Sequence, residues 1–239
     1  MAECVASDVG LSAAILKTIN SPYYGLSRMI SDIQQAVMLL GTRSVANLVA
    51  THEIRHAMNQ KSCISHERFW DEATDVAKTM VYIGKKTDQK VQFEELYAVG
   101  LFHDCGIPAM ANRFDDYKSL LIEANEKHDA TISELEEERY NTNHAVVGYF
   151  IANSWDLPRG LCELILRHHE EDALDQSSDE AFVTMYSILK MAENIVERTR
   201  RFHSNSEWLW VKDGVLEALG LTSLDYSDLE DDVSEFVLV

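Results

Sequence analysis

Apolar residues recur at helical spacing along most of this chain. Leu11, Ala14, Ile15, Thr18 and Ile19 make a first stripe. It stops at Asn20-Ser21-Pro22, where Pro22 disfavours helical geometry at Ser21. Ile33, Ala36, Val37 and Leu40 make the next, with Ser31-Asp32 placed to cap its start and Gly41 to stop it. A further helix is predicted from Thr42 to about Met58, with Val45, Leu48, Val49 and His52 facing inward. The short polar stretch from Asn59 to His66 marks a lobe boundary, giving lobes over 1–60 and 61–239.

Beyond the boundary, helices are predicted over Phe69–Lys86 and Phe93–His103, the latter broken by Asp104-Cys105-Gly106-Ile107-Pro108. Phe114–His128 follows, then Ser133–Trp155, which opens on a capping-box pattern of Ser133 and Glu136. Pro158–His169 starts with proline in the first turn, and Ala181–Phe202 comes next. Trp208–Val239 reads as one or two short helices carrying an acidic patch, Asp225 to Glu235, expected to be a solvated face. No Val/Ile-rich alternation demands a sheet and no internal repeat is seen, so the predicted class is all-α. A helix expected to be under way already at Cys4 points to sequence upstream.

Composition narrows the function classes. Hydrophobic content of 46% and charged content of 26% suit a globular chain rather than a disordered one. A net charge of −19 repels phosphate backbones and anionic lipid, so neither nucleic acid nor membrane is an expected partner. The short basic groups Lys85-Lys86 and Arg198 to Arg201 read as solvated helix ends. No apolar run reaches the ~18–20 residues that span a bilayer, and no signal peptide is evident. Cys4, Cys63, Cys105 and Cys162 are scattered without a CxxC pair, as in buried thiols of a reducing cytosol. A cytoplasmic protein is expected.

The histidines carry the candidate chemistry. His103-Asp104 sit at a helix break, His144 follows an acidic run, and His168-His169 form a doublet before Glu170. Imidazole nitrogens with a carboxylate, and one position left for solvent, are what a water-activating divalent metal needs. An aspartate beside a histidine at a helix end can bridge two ions. The same residues also fit a second reading, imidazoles hydrogen-bonded to carboxylates that hold a lobe together without an ion.

Several segments together resemble the HDOD family. They are Leu16-Lys17-Thr18-Ile19-Asn20-Ser21-Pro22-Tyr23-Tyr24-Gly25, the stretch Ser31 to Val37 with Leu40-Gly41, and Phe69-Trp70. Gly100 to Gly106, His144 to Gly148, Trp155-Asp156-Leu157-Pro158 and His168-His169 then follow in family order. The resemblance implies a bacterial, two-lobed helical domain, with an N-terminal helical lobe packed on a lobe like that of HD phosphohydrolases. It implies a signalling or regulatory role, with another signalling protein as partner.

The related HD-GYP phosphodiesterases carry an early His, the HD pair, a further His, an HH doublet and a late Asp. By that resemblance the metal-ligand set is His103, Asp104, His144, His168 and His169, with Glu72 at the early position and Glu193 at the late one. The ion implied is divalent: Fe, Mn, Zn or Ni. Asp104 would be the catalytic group if the chain is an enzyme. Two departures bear on that. Ile107 stands where the catalytic relatives have a phosphate-facing lysine, and an apolar group cannot supply that charge. Glu170-Glu171-Asp172-Ala173-Leu174-Asp175 replaces the Gly-Tyr-Pro loop and would repel a phosphoester. The expectation is a non-catalytic signalling module with a vestigial or partly retained metal pocket. The alternatives are a metal-dependent phosphohydrolase acting on a nucleotide or cyclic dinucleotide, and a purely structural scaffold. Asn20, Ser21 and Gly25 are expected to form a tight turn with Tyr23 and Tyr24 filling the lobe interface, and Trp70 and Trp155 to anchor the core.

Overall fold

The structure, a computed structural model, describes residues 5, 9–20, 29–57, 62–126, 131–155 and 157–238. Among them every regular element is a helix. The chain divides into two compact units, Met1–Gln60 and Lys61–Val239.

In the first unit, α1 (Val9–Ile19) buries Leu11, Ile15 and Ile19, one face at i, i+4 spacing. The helix α2 (Ile33–Ala57) begins behind Asp32, whose side chain accepts from the Gln35 amide at 2.7 Å. Gly41, at φ 78°, is non-helical inside it. A helix therefore does stop at Gly41, but a second resumes at once, because glycine takes that conformation without a Cβ clash. Both helices pack around Ile30, Ala36, Val37, Leu40 and Val45. Asn20 ends α1 and clamps Ile30, its Nδ2 donating to the Ile30 carbonyl and its Oδ1 accepting from the Ile30 amide, both at 2.7 Å. The expectations placed on Cys4, Ser21, Pro22, Tyr23, Tyr24, Gly25 and the His52 side chain lie outside the described residues.

The second unit is built on α3 (His66–Lys86), which packs against α4 (Phe93–Phe102) and α11 (Glu180–Arg201). Ser65 caps α3, and Trp70 is buried on its inner face. After a turn come α5 (Gly106–Arg113), α6 (Tyr117–Glu126), α7 (Ile132–Tyr140), α8 (His144–Ser154) and α9 (Arg159–Arg167). Helix α8 lies against α5 and α9. The Trp155 ring that ends α8 meets Phe102 edge-on, with centroids 6.3 Å apart. A single turn, α10 (Ala173–Gln176), precedes α11, and α12 (Trp208–Leu219) and α13 (Ser223–Phe236) pack on α11.

Three local expectations are corrected. The helix expected over Ser133–Trp155 is two helices, separated where Asn141 takes a left-handed φ of 55° and Asn143 caps α8. The capping box is Thr131–Glu134, not Ser133–Glu136, which frees Glu136 to turn inward. Pro158 is the N-cap of α9 rather than part of its first turn. The basic helix ends and most of the acidic tail are exposed, as expected, and they also form surface ion pairs. Arg200 bonds Asp75 at 2.6 Å, Arg201 bonds Glu72 at 2.9 Å, and Lys86 bonds Asp232 at 2.9 Å. Cys63, Cys105 and Cys162 are free thiols, and among the described residues no helix is long and apolar enough to cross a membrane.

Candidate metal centre

Four helix ends converge on one point of the second unit. His103 closes α4: its amide donates to the Val99 carbonyl and its Nδ1 to the Gly100 carbonyl, both at 2.9 Å. Asp104 follows in the turn before α5. His144 is the first residue of α8, placed there by the Asn143 side chain, which accepts from the Val146 amide at 2.9 Å. His168 closes α9 and donates from Nδ1 to the Ile165 carbonyl at 2.8 Å, with His169 next to it.

Each imidazole is oriented from behind. Glu136 of α7, fully buried, accepts from both the His144 amide (2.9 Å) and its Nδ1 (2.7 Å), while the Tyr117 hydroxyl donates to its other oxygen. Glu207 accepts from His169 Nδ1 at 2.6 Å and from the Lys190 ammonium at 2.7 Å. Carbonyls and carboxylates can only accept, so all four Nδ1 atoms carry the hydrogen. The four Nε2 atoms are therefore left free of the anchoring bonds, each open to a proton or a metal ion.

Those Nε2 atoms face Asp104 and one another. Nε2 of His168 and of His144 lie 3.2 and 3.3 Å from Asp104 Oδ1, and Nε2 of His103 lies 3.3 Å from Oδ2. Nε2 of His144 and Nε2 of His169 meet at 2.9 Å. Two lone pairs at that distance, beside a carboxylate, call for a cation between them, a proton or a metal ion. One ligand atom each from Asp104, His144, His168 and His169 lies within 4.8 Å of the others. Donors ~2.1 Å from one tetrahedral ion stand roughly 3.4 Å apart, close to these separations. Three imidazoles and one carboxylate suit a borderline divalent ion, so the residues present fit a metal.

The electrostatics divide the set. Burial, aided by His169, pushes His168 down to about 3. Burial also lowers His169, against the pull of Glu207. Burial opposes charge on His144 too, but Glu136 and Asp104 outweigh it and push that histidine up to about 10. A proton and a metal ion compete for its Nε2. Desolvation pushes the Asp104 carboxyl up, yet His103 and the bonds from His144 and His168 hold it well below the ordinary carboxylate range. Burial disfavours the Lys190 charge, and Glu193 and Glu207 reverse that, holding the ammonium above lysine's ordinary value.

A cavity of about 590 Å³ opens onto the cluster, with His103, Asp104, His144, His169 and Glu193 on its wall. Ile107 lines it, and so do Arg68 and Lys118. The acidic run Glu170 to Asp175 is not on that wall.

Of the residues singled out in the sequence, Asp104, His144, His168 and His169 are brought together, and His103 stands against the other oxygen of Asp104. Glu193 is at the edge, with Oε1 3.4 Å from His103 Nε2 and Oε2 2.9 Å from Lys190. Glu72 is on the cavity wall but not in the cluster; its carboxylate is bound by Arg201. Sequence reasoning missed Glu136, Lys190 and Glu207. Asn143, a good cap directly before His144, was the one local signal that a helix begins there.

A family model for the HDOD domain matches residues 1–171. An uncharacterized protein of Treponema pallidum (strain Nichols) is 24% identical over 165 residues, covering 69% of this chain and 32% of that protein. The chain thus spans about a third of the length of this curated relative. Among solved structures, an HDOD domain protein of unknown function from Geobacter sulfurreducens is 22% identical with a TM-score of 0.69, over 100% of this chain and 86% of that one. A protein of Shewanella amazonensis SB2B, provisionally described as a metal-dependent phosphohydrolase, is 17% identical with a TM-score of 0.67, over 98% and 82%. One of Marinobacter aquaeolei VT8, provisionally described as a signal transduction protein, is 18% identical with a TM-score of 0.73, over 97% and 51%. At these identities the likeness shows the fold.

Proposed function

The chain belongs to the HDOD domain family, and on that premise we propose that it is a signalling module whose His/Asp centre holds a divalent metal ion without hydrolysing phosphoesters. One observation carries the metal part: four imidazoles are each anchored through Nδ1, three of them set Nε2 against the Asp104 carboxylate, and the fourth, His169, sets its own against Nε2 of His144. Such anchoring fixes tautomer and ring orientation, the usual support for metal-bound histidine. Asp104, His144, His168 and His169 would hold the ion, with Fe, Mn, Zn or Ni suited to the donor set. When bound it would supply a fixed positive charge and Lewis acidity at the cavity wall.

The non-catalytic part rests on what surrounds the centre. Ile107 puts an apolar group on the cavity wall. Glu193 is bound to Lys190 and Glu72 to Arg201, which weighs against both as metal ligands. The module would act in the bacterial cytoplasm through contacts with another signalling protein. The charge of −19 weighs against nucleic acid and anionic membranes as partners.

A second reading has its own support. The cavity of about 590 Å³ meets the cluster and carries Arg68 and Lys118, which suits a phosphohydrolase of a nucleotide or cyclic dinucleotide. One experiment addresses both readings. Protein purified without chelator is analysed for metal, then assayed against bis(p-nitrophenyl) phosphate and cyclic dinucleotides. The signalling reading expects bound metal and no turnover. Less than about a tenth of an equivalent of Fe, Mn, Zn or Ni sinks the metal centre. Turnover abolished by His103→Ala replaces it with the hydrolase.

A further inference from the structure

The two oxygens of Asp104 face different neighbours. Oδ1 faces Nε2 of His144 and His168, with His169 beside them. Oδ2 faces Nε2 of His103, and next to it stands Glu193, whose Oε1 is 3.4 Å from the same nitrogen. A carboxylate with nitrogen donors on both sides has the form of a bridge between two cations. The second side, however, already contains one. Lys190, only 3% exposed, bonds Glu193 Oε2 at 2.9 Å and Glu207 Oε2 at 2.7 Å. One ammonium is thereby shared by both carboxylates and offsets half of their combined charge from within the chain. Glu72 and Glu197, also on this wall, are both paired with Arg201.

We propose that the Lys190 ammonium takes the place of a second metal ion, so that the centre binds one divalent cation, on the Oδ1 side, held by Asp104, His144, His168 and His169. This rests on the metal reading above. A divalent ion between His103 and Glu193 would share a carboxylate with a buried ammonium, and like charges repel strongly where water cannot screen them. Lys190 also fixes Glu207, which orients His169. The side chain that closes one half of the centre thus positions a ligand of the other half. Without the ammonium, Glu193 and Glu207 are left as uncompensated charges in a buried space, a situation that draws in a cation.

The test loads the full chain with Mn(II), removes excess ion, and counts metal per chain by mass spectrometry, with EPR to separate isolated from paired Mn(II). Wild type is expected to hold about one equivalent with an isolated-ion spectrum, and Lys190→Met about two with a coupled spectrum. Glu193→Gln is expected to keep one equivalent, weakened less than tenfold. Two equivalents in wild type, or one in a helical Lys190→Met protein, overturns the role of Lys190 alone. No metal in wild type overturns the metal reading itself and this inference with it. If Lys190→Met does not fold, Glu193→Gln decides: a weakening of tenfold or more makes Glu193 a ligand and overturns the proposal.

Discussion

A Cβ built on Gly106 would lie 1.9 Å from the carbonyl oxygen of His144 and 2.8 Å from the amide nitrogen of Gly148. Both are backbone atoms at the start of α8, so neither can swing aside. This crossing ties the His103-Asp104 turn to the helix end that presents His144. Gly106→Ala is expected to cost about 3 kcal/mol or more through overpacking, and to lower the amount of metal retained. Gly160→Ala, where nothing lies within 4 Å, is the control; it should be neutral or stabilise by roughly 0.5–1 kcal/mol. Urea denaturation followed by circular dichroism measures both, and a Gly106→Ala protein as stable as wild type would refute the packing argument.

Glu136 joins α7 to the same helix end by accepting two bonds from His144. Replacing it with glutamine keeps the shape and removes the charge that orients the imidazole. Glu136→Gln should weaken metal binding about 10–100-fold, measured by competition with a chelating dye. Affinity within about threefold of wild type would make Glu136 a packing group only.

These two cases show what was legible in the sequence. The spacing of Leu11, Ile15 and Ile19, the cap at Asp32 and the stop at Gly41 were all visible, because each depends on residues within one or two turns. The HD pair at a helix break and the HH doublet at a helix end were visible for the same reason. Glu136 was hidden by ambiguity: Thr131–Glu134 and Ser133–Glu136 share the capping spacing, and only packing decides which glutamate turns outward. Lys190 and Glu207 were hidden by distance. They are ordinary charges along the chain, and nothing local announces that a lysine will be buried against a glutamate seventeen residues on.

Asn20 offers a test of the first unit. Its side chain makes both bonds to Ile30, across ten residues of sequence. Asn20→Ala leaves a donor and an acceptor of Ile30 without those partners, and should cost roughly 1–3 kcal/mol. Asn20→Asp keeps the acceptor, loses the donor and should fall between. Metal content, which depends on the second unit, should not change. An Asn20→Ala protein with an unshifted urea midpoint would mean that the clamp contributes nothing.

Tyr226 sets an alkaline limit on stability. Its ring, 4% exposed, stacks on Trp208 with centroids 5.1 Å apart, and its hydroxyl accepts from Asn194 Nδ2 at 2.6 Å. Burial first, and Glu230 second, push its pKa from 10.0 up to about 12. The folded form therefore keeps the phenol proton where the unfolded chain has lost it. The contribution is complete below about pH 10 and is lost as pH rises toward 12, with a limiting slope of about 1.4 kcal/mol per pH unit for one proton. Tyr186, also pushed up to about 12, adds to the same slope. Tyr226→Phe has no proton to lose. It should be less stable by about 1 kcal/mol near pH 8 from the lost bond, and should fall less steeply than wild type above about pH 10. Urea midpoints at about pH 8, 10 and 11 distinguish the two. Parallel declines in both proteins would show that the Tyr226 proton is not what the fold holds.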